Sequence, residues 1–280
     1  MAEKAPKKRI DRRWIFLLIF IGVAIPLIVV IGLPIETTEN ARMVFDFIEN
    51  TPSGSRVILS FDYDPASKPE LHPMAKAVMS HCFRKKLKVI ITALWPMGVQ
   101  MAEDIFSQII DEFPEVKYGE NYANLGFKAG GIVTIQAMGK NFRGIFPQDM
   151  NGTPVDELPI MDGIQNFDNI GFVFALSAGD PGIKQWVQIA HDTFGRPVSG
   201  GVTGVSAPAI LPYVNEQQQL IGLLAGLKGA AEYEFLIKAP GTATSGMDAQ
   251  SVAHLIIIIF IIIGNINYWR IKKARAKRGE

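Results

Sequence analysis

Residues 14–33, WIFLLIFIGVAIPLIVVIGL, form an apolar stretch without a charged side chain, set between KAPKKRIDRR and PIETTENAR. A helix of about 20 residues, rising about 1.5 Å per residue, covers about 30 Å, the thickness of a bilayer's hydrocarbon core. The stretch predicts a membrane span, and every later segment must then lie on one side of that membrane or the other. Its apolar run is longer than the roughly 7 to 15 residues of a signal peptide, and no small-x-small cleavage site follows Leu33, so a retained anchor is expected. Pro26 is compatible with a kinked transmembrane helix.

A second apolar segment, residues 251–269, ends in Tyr268 and Trp269, the residue types favoured at a membrane interface, and leads at once into a basic tail. This predicts a second span. The tail of residues 1–13 carries Lys4, Lys7, Lys8, Arg9, Arg12 and Arg13, and the tail of residues 270–280 carries Arg270, Lys272, Lys273, Arg275, Lys277 and Arg278. Basic residues beside spans favour the cytoplasmic face, so both tails are expected there, in a two-pass cell-membrane protein with its main domain outside. The near-even balance of 28 Lys+Arg against 27 Asp+Glu thus hides basic ends and an acidic middle. The bilayer is the expected partner of the basic ends, not nucleic acid, whose phosphates an acidic domain would repel. Cys82 is the single cysteine and excludes an internal disulfide, so the domain must fold on its core alone.

Between the spans, residues 34–55 read as a membrane-proximal amphipathic helix and linker, residues 56–238 as the main domain, and residues 239–250, rich in Gly, Ala, Ser and Thr, as a flexible tether. RVILSF and KVIITAL are apolar, β-branched runs expected to be buried strands, each followed by a helical pattern; Ser67 to Glu70 has the form of a capping box. Leu71, Met74, Ala75, Val78, Met79 and Cys82 share a helix face, which makes Cys82 a buried structural thiol. Residues 114–145 are ambiguous, and residues 146–168 read as a long surface excursion that includes an Asn151-Gly152-Thr153 glycosylation acceptor. IGFVFAL and PVSGGVTGV supply further strands, and residues 216–237 read as a long helix. Alternating strands and helices imply an α/β, Rossmann-like fold: a doubly wound, mostly parallel open sheet in three layers, held between two transmembrane helices.

Ligands of such sheets bind at the carboxyl ends of the strands. Here those ends supply the ligand-binding candidates Asp62, Asp64, Thr92, Ser177, Gly200 and Gly201, the glycines by offering backbone N–H groups to an anion. In order along the chain, VILSFDYD, VIIT and AGD resemble the motifs of haloacid-dehalogenase-like phosphatases. That resemblance implies Asp62 as nucleophile, Asp64 as acid/base and Asp180 as a Mg²⁺ ligand. The pattern departs from the family at Pro65 and in lacking a second acidic residue after Asp180, and each match has a structural explanation as a turn or cap. The sequence therefore assigns no catalytic set, no cofactor and no metal site, with Asp62, Asp64 and Asp180 kept as candidates. The histidines show no ligand spacing.

Gly222, Ala225, Gly226, Gly229 and Ala230 place small residues four apart on the expected helix, a pattern that lets two backbones approach, either inside the domain or between subunits. The functional expectation is a non-catalytic interaction or assembly component of a membrane complex, as a homo-oligomer or with other subunits. An extracytoplasmic ligand-binding or sensing domain is the alternative, and a membrane-tethered phosphatase-like hydrolase the third.

Overall fold

The computed structural model describes residues 12–276, so residues 1–11 and 277–280 of the two basic tails lie outside the described residues. The chain divides into two units, Pro34–Ala243 and a second formed by the flanking segments.

The first unit is a doubly wound α/β domain. After helix α2 (Glu39–Glu49; α1 belongs to the flanking unit), its elements run β1 (Arg56–Asp62), α3 (Lys68–Arg84), β2 (Lys88–Ala93), α4 (Gly98–Ile109), β3 (Tyr122–Phe127), α5 (Ile132–Lys140) and α6 (Phe142–Ile145). They continue as β4 (Phe172–Ser177), α7 (Ile183–Trp186), β5 (Val198–Val202), α8 (Ala207–Ile210), β6 (Leu224–Ala225) and α9 (Gly226–Leu236). All six strands are parallel, in the order β3-β2-β1-β4-β5-β6. Because strands alternate their side chains, Val57, Leu59 and Phe61 of β1 point to one face, towards α3 and its neighbours, while Ile58, Ser60 and Asp62 point to the other. Ile58 joins Ile90, Ala123, Ile135, Trp186 and Val198 in the core of that second face. The strand order reverses between β1 and β4, the position at which such sheets commonly bind ligands.

Helix α3 buries Leu71, Met74, Val78 and Cys82 as its spacing requires, but Ser67 makes no capping hydrogen bond. Glu70 instead accepts the Gly204 N–H at 2.7 Å, so the expected capping box gives way to a tertiary contact. Residues 146–168, expected at the surface, are packed: Phe146, Val155, Leu158, Ile160, Met161 and Phe167 are buried. Short 3-10 turns at 155–157, 159–161 and 167–169 present apolar residues inward while Pro154, Asp156, Glu157, Pro159 and Asp168 face water. The expected helix of residues 216–237 begins only at Gly226, because Gly222 (φ +67°) turns the chain and Leu224–Ala225 joins the sheet edge.

In the second unit, α1 (Arg12–Ile28) is 17 residues long and stops short of Leu33. Helix α10 (Thr242–Ala276) has 35 residues and starts inside the stretch expected to be a flexible tether. Among the described residues, α10 alone is long and apolar enough to cross a membrane by length and composition, where the sequence predicts two such helices. The difference arises at residues 29–33, which leave helical geometry; the N–H groups of Ile31, Gly32 and Leu33 donate to the side chain of Asp248 in α10.

Candidate functional site

Asp62 ends β1 beside the point where the strand order reverses, and it is fully buried. One carboxylate oxygen accepts hydrogen bonds from the Leu94 N–H at 2.8 Å and the Ser60 hydroxyl at 2.8 Å. The other accepts the Trp186 indole N–H at 3.0 Å. Burial pushes this carboxyl up to about 7, because the ionised form loses its hydration; the three hydrogen bonds oppose the shift without cancelling it. Its main-chain oxygen accepts the Ala178 N–H at 3.1 Å. Asp62 therefore ties β1 to the chain leaving β2, to the chain leaving β4 and to α7.

Trp186 reaches this carboxylate from the last residue of α7, where the helix continues as a π-helical turn over Val187–His191. The indole and the Ser60 hydroxyl, the partners sequence reasoning missed, left a readable trace: Ser60-x-Asp62 sets two polar residues on one face of a strand otherwise made of large apolar ones.

The remaining candidates divide by role. Ser177 is the register partner of Asp62 on β4, and its hydroxyl accepts the Ile183 N–H at 2.7 Å, which caps α7 at Ser177 rather than at Asp180. Thr92 pairs with Ser60 across β1 and β2 and is buried, its hydroxyl without a hydrogen-bond partner among the described residues. Asp64 accepts the Ala66 N–H at 3.1 Å and caps a single 3-10 turn. Asp180 is exposed and is held by the Gln185 amide. The structure thus brings Asp62, Ser177 and Thr92 into one buried polar neighbourhood and gives Asp64 and Asp180 separate loop-capping contacts. Gly200 and Gly201 lie within β5, not in an anion-cradling loop: a Cβ at Gly200 would stand 2.3 Å from the Ala175 oxygen, and one at Gly201 2.6 Å from the Met74 sulfur. Their smallness serves strand and helix packing. Among the described residues, no group of three or more His, Cys, Asp or Glu side chains could hold a metal ion.

Two hollows flank the loop of residues 178–182. One, of about 560 Å³, is bounded by Leu94, Phe127, Gly131, Ile132, Asp180 and Pro181. The other, of about 210 Å³, is bounded by Ser177, Asp180, Ile183, Val202, Ser206 and Ile210. Trp95 props the loop between them, its indole N–H donating to the Pro181 oxygen at 2.7 Å. Around this rim the segments that follow the strands expose apolar side chains: Met97 after β2, Ile132 and Val133 at the start of α5, and Val205 and Leu211 after β5, with Val205 90% exposed.

The small residues of the expected oligomer interface pack within the domain. A Cβ on Gly222 would meet the Asn40 oxygen at 2.5 Å, Gly226 stands against Gly204, Gly229 against the Leu224 backbone, and Ala230 is fully buried. Since Gly222 and Ala225 precede α9, these residues form no single helical stripe.

Two buried histidines are likewise engaged. His81 meets the Tyr233 hydroxyl at 2.8 Å and Glu49 at 2.9 Å, joining α2, α3 and α9; burial lowers its pKa, and Glu49 opposes this. His72 meets the Tyr63 hydroxyl at 3.1 Å and Asp104 at 3.3 Å, and burial pushes it down to about 4.

No protein-family model, curated protein or solved structure matches the chain. A functional reading therefore rests on the residues and their geometry.

Proposed function

We propose that this chain is a two-pass membrane protein, with both basic tails cytoplasmic, whose extracytoplasmic α/β domain is a non-catalytic interaction component of a membrane assembly. The observation that carries this reading is the contrast at the carboxyl edge of the sheet. The carboxylate placed where chemistry would occur is sealed within the fold and accepts three hydrogen bonds there, while the segments around it expose Met97, Ile132, Val133, Val205 and Leu211. Apolar side chains gathered on an exposed rim suit burial against another protein, either a second copy or a different subunit. A nucleophilic carboxylate would need access to substrate, which Asp62 lacks.

Purification of the full chain in mild detergent, followed by native mass spectrometry, tests the reading. An assembly is expected, and Val205→Asp with Val133→Asp should dissociate it while the fold persists. A wild-type chain recovered only as a lone monomer, or an assembly indifferent to both substitutions, would count against it.

The hollow of about 210 Å³ favours a second reading, an extracytoplasmic domain that binds a small apolar ligand. Its apolar walls are chiefly Ile183, Val202 and Ile210, with Ser177, Asp180, Lys184 and Ser206 as polar groups at its edge. A monomer carrying a bound small molecule in the same experiment would support it.

A further inference from the structure

The segment that follows α1 is apolar, exposed and non-helical: Val29 is 61% exposed, Val30 45%, Ile31 50% and Leu33 38%. Such a stretch in water would leave both its side chains and its backbone to the solvent. Here three of the backbone N–H groups are provided for. The N–H groups of Ile31, Gly32 and Leu33 donate to the carboxylate of Asp248 at 3.0, 2.8 and 3.0 Å, and Asp248 is itself only 1% exposed. Gly32, at φ +70°, supplies the left-handed turn that lets successive N–H groups converge on one anion. The Val29 N–H still closes the last helical turn on the Ile25 oxygen at 2.9 Å.

The placement of this strap follows from the helix pair. A Cβ on Gly22 would meet Ile256 at 2.5 Å and Val252 at 3.2 Å, so α1 and α10 pack closely there and, given the Asp248 contacts further along, run antiparallel. From Gly22 to the end of α1 the helix rises about 9 Å, and from the facing turn of α10 back to Asp248 is also about 9 Å. The strap therefore crosses the end of the pair at the level of Asp248 instead of extending beyond it. Helix α1 itself is about 25 Å long, roughly 5 Å less than a hydrocarbon core.

We infer that residues 29–33 form a lipid-contacting strap, with Val29, Val30, Ile31 and Leu33 set in the boundary between acyl chains and headgroups and Asp248 satisfying the non-helical backbone that lipid cannot. The inference rests on the two-span reading proposed above. Non-helical backbone is tolerated at such a depth only where its polar groups are met internally, and for the N–H groups of Ile31, Gly32 and Leu33 Asp248 does so. Asp248 acts here as a positioning residue.

The full chain carrying Cys82→Ser, with a single cysteine in turn at Ile31, Leu18 or Asp111, is labelled with an environment-sensitive nitrobenzoxadiazole probe and reconstituted into phosphatidylcholine vesicles containing lipids doxyl-labelled at carbon 5 or carbon 12. The probe at position 31 should lose about twofold more emission to the shallow quencher than to the deep one, as befits a site about 5–10 Å below the headgroups. The probe at 18 should show the reverse preference, and the probe at 111 should respond to neither. Quenching at 18 without quenching at 31 puts the strap in water and overturns the inference while the spans stand. No quenching at either position overturns the spans and the strap together. In Asp248→Ala, hydrogen exchange at the Gly32 amide should accelerate by about tenfold, the loss of one charge-assisted hydrogen bond; unchanged exchange overturns the role given to Asp248.

Discussion

Replacing Asp62 with asparagine tests whether this carboxylate is a structural clasp. In the folded chain its carboxyl is pushed up from its ordinary 3.8 to about 7, with burial as the leading cause. The folded state therefore keeps a proton that the unfolded chain has released. Stability from this group is fully present below about pH 4, falls as pH rises, and is lost once pH passes about 7. The gap in pKa corresponds to about 4 kcal/mol between those limits. The asparagine side chain does not titrate, but its amide faces the Trp186 indole N–H with another donor, a mismatch costing about 1–3 kcal/mol at every pH.

The variant should thus be the less stable protein at pH 4.5, gain on the wild type through pH 5.5 and 6.5, and overtake it by pH 7.5. The comparison must be made as a difference, because His72 works in the opposite sense. Burial, with Lys68 adding to it, pushes His72 down to about 4 from 6.5, so its contribution to stability grows as pH rises through that window. Both proteins carry His72, and it cancels. Urea unfolding followed by near-UV circular dichroism, on the full chain in detergent, supplies the four differences. A difference that stays constant from pH 4.5 to 7.5 would refute the assignment of a raised pKa to Asp62.

Trp186→Phe keeps an aromatic ring but withdraws the indole N–H from the buried carboxylate and leaves part of the indole's space empty, and a loss of about 2–3 kcal/mol in the same unfolding assay is expected; a neutral effect would mean that water replaces the indole. Gly98→Ala would set a methyl group 1.8 Å from the Phe61 oxygen and 2.9 Å from the Ala93 Cβ, so α4 must shift off the sheet, and a destabilisation above about 2 kcal/mol should appear as a lowered melting temperature. Cys82 is buried and its thiol is pushed up to about 12 by burial, so it should resist Ellman's reagent in the native chain and react stoichiometrically in urea. Rapid native-state labelling would show that α3 opens locally.

The strands β1, β2 and β4 were legible because each is a short β-branched run, and the parallel sheet follows from their alternation with helices. The third strand, YANLGF, was not. Its Asn124 is fully buried, yet its amide donates to Glu103 and its oxygen accepts the Gly126 N–H, so a polar residue sits in a strand on the strength of partners that sequence does not display. The start of α10 was hidden for a similar reason. Residues 239–250 look like a tether because they are rich in Gly, Ala, Ser and Thr, but a side chain of the preceding helix caps the helix that starts there: Glu234 of α9 accepts the N–H groups of Gly241 and Ala243 at 2.8 and 3.1 Å. Residues 216–225 misled in the other direction, since a glycine that turns the chain and a glycine inside a helix look alike in sequence. At the candidate site the Asp-x-Asp pattern marks the end of β1, where Asp62 is buried. What it could not convey is that Trp186, more than a hundred residues later, closes over Asp62.

Helix α9 holds both ends of the α/β domain. Glu232 accepts the Thr38 N–H and hydroxyl, at 3.2 and 2.6 Å, where the chain enters α2, and Glu234 grips Gly241 and Ala243 where it leaves. In mechanical terms, a pull on either connection loads the same helix, at points two residues apart, and passes from there into its packing against α3. The strands are not in series with that load. Tension arriving through either end should therefore first detach α2 or the start of α10 from α9, leaving the parallel sheet and its exposed rim in register.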